Sequence, residues 1–354
     1  MKEILEINKD LCLCGSGKRY EDCCKNKIDI SKDARVLKQY MAERDKCLKN
    51  YKKICMHPQK DECSVGKTHA HTISQKAVLE LIAQAGIVLM PIMFGVKNEF
   101  KMEPVGIEAR ATKFYCFCNN HDKIFAPIDK RVELYDEYIY FLHAYRIFAS
   151  TYYKIERELG CHYKLREKYD LTSNPLALYM YLGFERNLKL LGSYKVIFDE
   201  AIINKKYDFL ENTKITLNYR VDFAAATAFS PMYDLFGNEF NTKDDELSLF
   251  FISVVPNEKH TDIIFSWLKE DNDLYSFFKE QIDITPTRFL LKYLNNLLPL
   301  NCENMTIGPI LWEKWGKNGQ EKFIEIAHNH MRNDMKLKSY SYFEEREYNL
   351  FEKI

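Results

Sequence analysis

The stretch C-L-C-G-S-G-K-R-Y-E-D-C-C places Cys12, Cys14, Cys23 and Cys24 within thirteen positions. Thiolates are good ligands for zinc, and a small structural site needs four donors in a tetrahedron, each sulfur about 2.3 Å from the ion. Two separate disulfides do not suit the spacing, because adjacent cysteines cannot readily face different partners in so short a loop. Gly15 and Gly17 let the backbone turn sharply after the first pair, and Tyr20 can lie over the knuckle as its apolar cover. A metal here replaces the hydrophobic core that thirteen residues cannot build.

Soft donors gather a second time. I-C-M-H-P-Q-K-D-E-C-S-V-G-K-T-H-A-H-T-I-S contains Cys55, His57, Cys63, His69 and His71, and K-F-Y-C-F-C-N-N-H-D contains Cys116, Cys118, His121 and Asp122. Cys55 with Cys63, and Cys118 with His121 at C-x-x-H spacing, read as the two halves of one treble-clef zinc site. Cys116 is an alternative ligand, and so is His57. If K-F-Y-C-F-C is a strand, Cys116 and Cys118 share a face and Cys116 packs beside the site. His71 precedes S-Q-K-A-V-L-E-L-I-A-Q-A-G, which reads as a helix capped by Ser74. His143, His162, His260, His328 and His330 read as ordinary core or surface residues.

Two resemblances follow from these residues. C-x-C-G-S-G-x-x-Y-x-x-C-C resembles the SEC-C motif, a zinc knuckle carried by many unrelated bacterial proteins, with Cys24 where that family has Cys or His. It implies zinc and a docking contact with a protein partner, and it covers only residues 10–26. The second group is similar to the HNH, or His-metal finger, nucleases. That resemblance implies His71 as general base, His69 as neighbouring metal ligand, Asn120 or Asp122 as the polar group of the last helix, and Cys55, Cys63, Cys118 and His121 as bracing zinc ligands. It further implies magnesium or manganese for catalysis and DNA or RNA as partner. The insertion between His71 and Cys118 is long, and the usual second C-x-x-C reads C-x-x-H. The pieces C-x-H-P, A-H-T-I-S, F-C-x-x-H-D-x-x-F-x-P-I and A-Y-R, with M-Y-D-L-F-G-N-E-F further on, also look like an uncharacterised group of bacterial SEC-C proteins.

The elements that must position these donors read as follows. D-A-R-V-L-K-Q-Y-M-A-E-R-D-K-C-L-K-N-Y-K-K has helical apolar spacing, and residues 130–160 and 175–204 give two long helices, the second entered through S-N-P. Beyond 205, K-I-T-L-N-Y-R-V-D-F-A-A-A-T-A-F, E-L-S-L-F-F-I-S-V-V-P and T-D-I-I-F-S-W-L predict an antiparallel sheet, and D-L-F-G-N-E-F a nearby hairpin. The expected fold is therefore α+β, in three parts: a knuckle at 1–28, a helical zinc region at 29–204, and a sheet-and-helix domain at 205–354.

Composition narrows the function classes. Formal net charge is zero, which argues against a dedicated nucleic-acid coat, although residues 1–53 hold 14 Lys and Arg against 9 Asp and Glu. There is no eighteen-residue apolar run and no basic start with an apolar centre, so a cytoplasmic protein without a membrane partner is expected. Eleven cysteines in such a chain read as reduced, metal-holding thiols, about two zinc ions' worth. No phosphate loop of the G-x-x-x-x-G-K-S or G-x-G-x-x-G type and no G-x-S-x-G elbow occurs. A non-catalytic zinc protein that binds nucleic acid or docks a protein is the alternative to a nuclease. Asp222 and Asp234 are remote candidates for a further metal.

Overall fold

A computed structural model describes residues 11–65, 70–94, 99–130, 132–240, 248–330 and 343–354. In chain order the first elements are β1 (Ile28–Asp29), α1 (Ala34–Lys49), β2 (Ala70–His71) and α2 (Glu80–Ile82), with a π-helical turn at Gln75–Leu79 leading into α2. There follow β3 (Ile87–Phe94), β4 (Glu99–Gly106), β5 (Lys113–Phe114), α3 (Glu137–Leu165), β6 (Tyr169–Asp170) and α4 (Pro175–Asn204). The last part holds β7 (Leu210–Leu217), β8 (Phe223–Phe229), β9 (Phe250–Pro256), β10 (Thr261–Leu268), α5 (Asn272–Ile284), α6 (Thr287–Asn301), β11 (Met305–Ile307), α7 (Pro309–Lys314) and α8 (Gly316–His330). The protein is α+β. Contacts group the described residues into two units: one takes those up to 53 with 152–196, the other takes 54–94, 99–151 and 197–354.

In the first unit the knuckle is not a free appendage. β1, just after it, pairs in parallel with β6, just after α3, through Ile28 with Tyr169 and Asp29 with Asp170. A small core of Ile30, Tyr40, Leu165, Tyr169 and Leu171 forms around that pair. Asp33 starts α1 by accepting the Arg35 amide at 2.6 Å, and Asn174 starts α4 by accepting the Ala177 amide at 3.0 Å, with Pro175 at the first helical position. Cys47 of α1 and Cys161 of α3 form a disulfide across 114 residues. The expectation of uniformly reduced thiols is corrected at this pair; none of the other nine cysteines is disulfide-bonded.

The second unit is built on a seven-stranded sheet in the order β4-β3-β11-β8-β9-β10-β7, every pairing antiparallel. The three stretches expected to form a sheet after 205 hold its β7 to β10, the first of them running from β7 into β8. β3 and β4 fall in the region expected to be helical and instead supply one edge. Pro91 and Pro104 fit there because β4 is the outermost strand and β3 joins β11 only at Ile307 with Leu89. Alternation along β9 shows how both faces are covered: Phe250 packs against Trp267, Tyr275 and Phe278, while Phe251 meets Phe198 on the other side.

A buried carboxylate ties the segment before α3 to this sheet. Asp262 of β10 is 1% exposed and accepts from Thr216 at 2.6 Å, Lys214 at 3.0 Å and the Tyr135 hydroxyl at 3.2 Å. Burial raises its pKa, and the Thr216 and Lys214 contacts outweigh that to leave it below the usual value.

Each unit encloses a histidine that burial keeps neutral. His143 stacks on Tyr135 and His162 on Tyr181, both with Nε2 buried and unpartnered, and burial lowers each pKa to about 3. Unfolded histidine binds its proton near pH 6.5, so between pH 6.5 and 3 the unfolded chain holds more protons than the folded one. Stability contributed by these rings is complete above 6.5 and drains away as pH falls toward 3. The upper bound is on the order of 5 kcal/mol for each ring. A thermal melt series from pH 7 to 4 is expected to show a falling Tm, with a shallower slope in His143→Phe; a Tm independent of pH over that range contradicts the buried-neutral assignment.

Candidate metal centres

The knuckle brings its four sulfurs together. Cys12, Cys14, Cys23 and Cys24 are all buried, with their sulfurs within 4.8 Å of one another, Cys14 to Cys23 at 3.5 Å and Cys23 to Cys24 at 3.9 Å. A zinc tetrahedron with 2.3 Å bonds has sulfur-to-sulfur edges of about 3.8 Å, so the donors already sit at metal-binding separation. Gly15 and Gly17 both have φ of 72°, the left-handed region the tight turn requires. At Gly15 a side chain is doubly excluded, because a Cβ would collide with the Tyr181 hydroxyl. The cover expected from Tyr20 is thus partly supplied by Tyr181. Tyr20 itself is 44% exposed and donates to Asp170 at 3.1 Å.

Four thiolates and one zinc carry two net negative charges, and the surroundings answer them. Lys27 donates to Cys23 Sγ at 3.3 Å, Ser16 Oγ lies 3.1 Å from the same sulfur, and Arg166 donates to the Cys14 carbonyl at 3.0 Å. For Cys23, burial pushes the pKa up, but contacts with Ser16, Cys14 and Lys27 more than offset this and bring it to about 7. Even without an ion this sulfur is close to its ligating form.

The second centre joins distant segments. Cys55, Cys63, Cys118 and His121 converge, with His121 Nδ1 at 3.4, 3.6 and 3.3 Å from the three sulfurs in that order, again the edges of a tetrahedron. Backbone bonds hold the two loops in register: Met56 donates to the Cys116 carbonyl at 2.7 Å, and the Asn120 side chain donates to the Glu62 carbonyl at 3.1 Å. Burial raises the Cys118 pKa, while amides of His121, Ser64 and Asn120 and the Ser64 hydroxyl outweigh it and bring the value down to about 6. His121 opens a 3-10 turn, His121–Phe125. His57 stacks on the His121 ring, with centroids 3.9 Å apart, and Cys116 is fully buried; neither belongs to the group of four.

His71 is paired with Lys113 despite the 41 residues between them. β2 pairs with β5, placing Ala70 opposite Phe114 and His71 opposite Lys113, so the long insertion leaves and returns at neighbouring points. His71 Nδ1 lies 3.0 Å from the Ala111 carbonyl. Only a protonated Nδ1 makes that contact, which leaves Nε2 with the lone pair in the neutral ring. Burial lowers the His71 pKa to about 4, with Lys113 and Arg146 adding in the same direction. Thr112, next in the turn, has φ of 53°, a strained choice for a β-branched residue, costing on the order of 1–3 kcal/mol.

Sequence reasoning missed two participants. Arg146 of α3 is 4% exposed, donates to Asp129 at 2.9 Å and lies over the Phe125 ring at 4.4 Å. Its charge and that of Asp129 act on both His71 and Asp122. The sequence signal was a lone arginine inside the apolar run F-L-H-A-Y-R-I-F. Burial raises Asp122 to about 6, with Arg146 pulling it back. His69 lies outside the described residues. Among the described residues no third group of three or more metal-type donors occurs, and Asp222 and Asp234 instead accept backbone amides, of Leu311 and of Phe236 and Asn238.

With the knuckle's geometry in place, comparison with known families decides what it is. Residues 9–26 match the SEC-C motif. The match spans the SEC-C knuckle alone. No curated protein and no solved structure matches the chain. Among the described residues no helix is long and apolar enough to cross a membrane.

Both centres suit structural zinc: two closed sets of soft donors, three or four sulfurs each. Metal analysis of the purified chain is expected to give two zinc ions per molecule, with Cys24→Ser and Cys118→Ser each reduced to one; retention of both in either variant removes that cysteine from its set. Gly15→Ala is expected to destabilise the SEC-C unit by roughly 1–3 kcal/mol in denaturant titration, through its φ and the Tyr181 contact.

Proposed function

We propose that the second zinc centre braces an HNH-like finger that hydrolyses phosphodiester bonds in DNA or RNA, with His71 as general base. The observation that supports this most is the return of the chain after the insertion: His71 ends one strand of a two-stranded ribbon, and the partner strand runs directly into the Cys118–His121 pair. A base needs a free lone pair aimed away from its anchor, and the Ala111 carbonyl fixes the tautomer that supplies one. His71 is half-buried and neutral above about pH 4, so it can take a proton from an attacking water throughout the physiological range. Lys113, opposite it in register, and Arg146 contribute positive field where a phosphate would lie. Zinc holds the two loops in position and takes no part in the proton transfer. Magnesium or manganese remains an expectation of the resemblance: the described donors around His71 do not form a set for it, so the hydrolysis is not routed through such an ion.

The zero net charge and the C-x-x-H in place of the usual second C-x-x-C favour a second reading, in which both zinc centres only shape docking surfaces for a protein or a nucleic acid. One assay separates the two. Purified protein is incubated with linear and supercoiled DNA and with RNA, with and without added magnesium or manganese, beside His71→Ala at matched zinc content. Cleavage lost by at least a hundredfold in the variant is expected. Equal activity in both proteins removes His71 from the mechanism, and no cleavage of any substrate leaves the docking reading.

A further inference from the structure

Eleven cysteines fall into three chemical classes. Seven are donors of the two metal centres, and Cys116 and Cys302 are buried at 0% and 5% exposure. Cys47 and Cys161 remain, with Cα atoms 5.8 Å apart, inside the range that a disulfide spans without moving the backbone. Their exposure differs: Cys47 is half-buried on α1, whereas Cys161 on α3 is fully buried. That is the arrangement of an attacking thiol and a resolving one. Zinc-bound thiolates share their charge with the ion and are shielded by it, so the remaining pair is the accessible route for thiol chemistry.

The surroundings show what the bond controls. α1 has a single fully buried residue, Tyr40. Near Cys47 it is otherwise held to α3 by the Arg44–Glu158 ion pair at 2.6 Å, and the Tyr51 ring that follows the helix meets Tyr153 edge-on. Tyr51 also occupies the space that a side chain at residue 160 would fill, next to Cys161, and Gly160 leaves it open. Val36, Leu37 and Met41 join Tyr40 against the small core in the first half of the helix, so the cross-link at Cys47 is a large part of what fixes the second half. Its closure of a 114-residue loop removes much unfolded-chain entropy.

We propose that Cys47 and Cys161 are a reversible dithiol–disulfide pair that exchanges with a small-molecule disulfide of the glutathione class and sets how firmly α1 is held in the SEC-C unit. The Cys47 thiolate attacks one sulfur of the small disulfide, forming a mixed disulfide and releasing one thiolate, which takes up the proton Cys47 gave up. The Cys161 thiolate then attacks the Cys47 sulfur, closing the protein disulfide and releasing the second small thiol. The protein dithiol loses two electrons and the small disulfide gains them. Both metal centres keep their ligands throughout, and the proposal stands whether or not His71 is a base.

The test equilibrates the zinc-loaded full chain across ratios of reduced to oxidised glutathione, traps free thiols with iodoacetamide under acid-quenched, then denaturing conditions that expose buried Cys161, and reads the peptides by mass spectrometry with zinc measured in parallel on the native protein. Expected are joint loss of alkylation at Cys47 and Cys161, no loss of zinc, and a Tm several degrees higher in the oxidised form. Cys47→Ser is expected to make Tm independent of the ratio, and Cys161→Ser to accumulate a glutathione adduct on Cys47. Alkylation of both residues at every ratio overturns the proposal, as does oxidation of the metal-binding cysteines with zinc release before the pair closes. Should Cys161→Ser fail to fold, the wild-type and Cys47→Ser arms decide alone.

Discussion

Mutual repulsion among thiolates is the constraint on which the molecule turns. Sulfurs placed at the edges of a tetrahedron, 3.5 and 3.9 Å apart in the knuckle, can all ionise only around a cation, since desolvation and like charge both favour the protonated form. The architecture supplies partial answers before any ion arrives: Lys27 and Ser16 at Cys23, and a ring of amides at Cys118. Each centre is therefore prepared electrostatically as well as sterically. In the second centre an ion would add to what already joins the two loops, three hydrogen bonds and the stack of His57 on His121.

From that anchor the rest of the second unit can be followed outward. The loops fix β2 against β5, that ribbon orients His71, and the aromatic stack of Phe117, Phe125 and Tyr145 behind it seats Arg146. The path then reaches the sheet through Tyr135 and Asp262. A polar network that is fully partnered at Asp262 sits beside a histidine that has none for Nε2, and the contrast explains why the carboxylate stays charged while His143 stays neutral.

What the sequence displayed was governed by distance along the chain. The SEC-C knuckle was legible because all four donors and both glycines fall within thirteen residues. The second centre was legible from C-x-x-H spacing and the crowding of cysteines and histidines, although no spacing rule announced that 55 and 121 meet. Cys47 and Cys161 were silent: each sits in a helical pattern where a cysteine reads as a small apolar residue, and only tertiary packing pairs them. β3 was hidden by Pro91, which breaks a strand reading unless the strand is known to lie near a sheet edge, and β4 by a lysine- and glutamate-bearing pattern typical of exposed edges. The helix expected over 130–160 is found over 137–165 and the one over 175–204 at its expected bounds, because length and caps, Asn174 among them, are local properties.

The hairpin of β3 and β4 is inserted between the two halves of the second metal centre, yet its inner neighbour, β11, lies near residue 306. During synthesis on the ribosome the ligands through His121 emerge while that neighbour is still some 180 residues away, so a metal-closed loop presents an unpaired strand of the nascent chain for many seconds at ordinary translation rates. The order of emergence makes chelation an early event and sheet completion a late one, and the period between them is when this polypeptide is most exposed to pairing with the wrong edge.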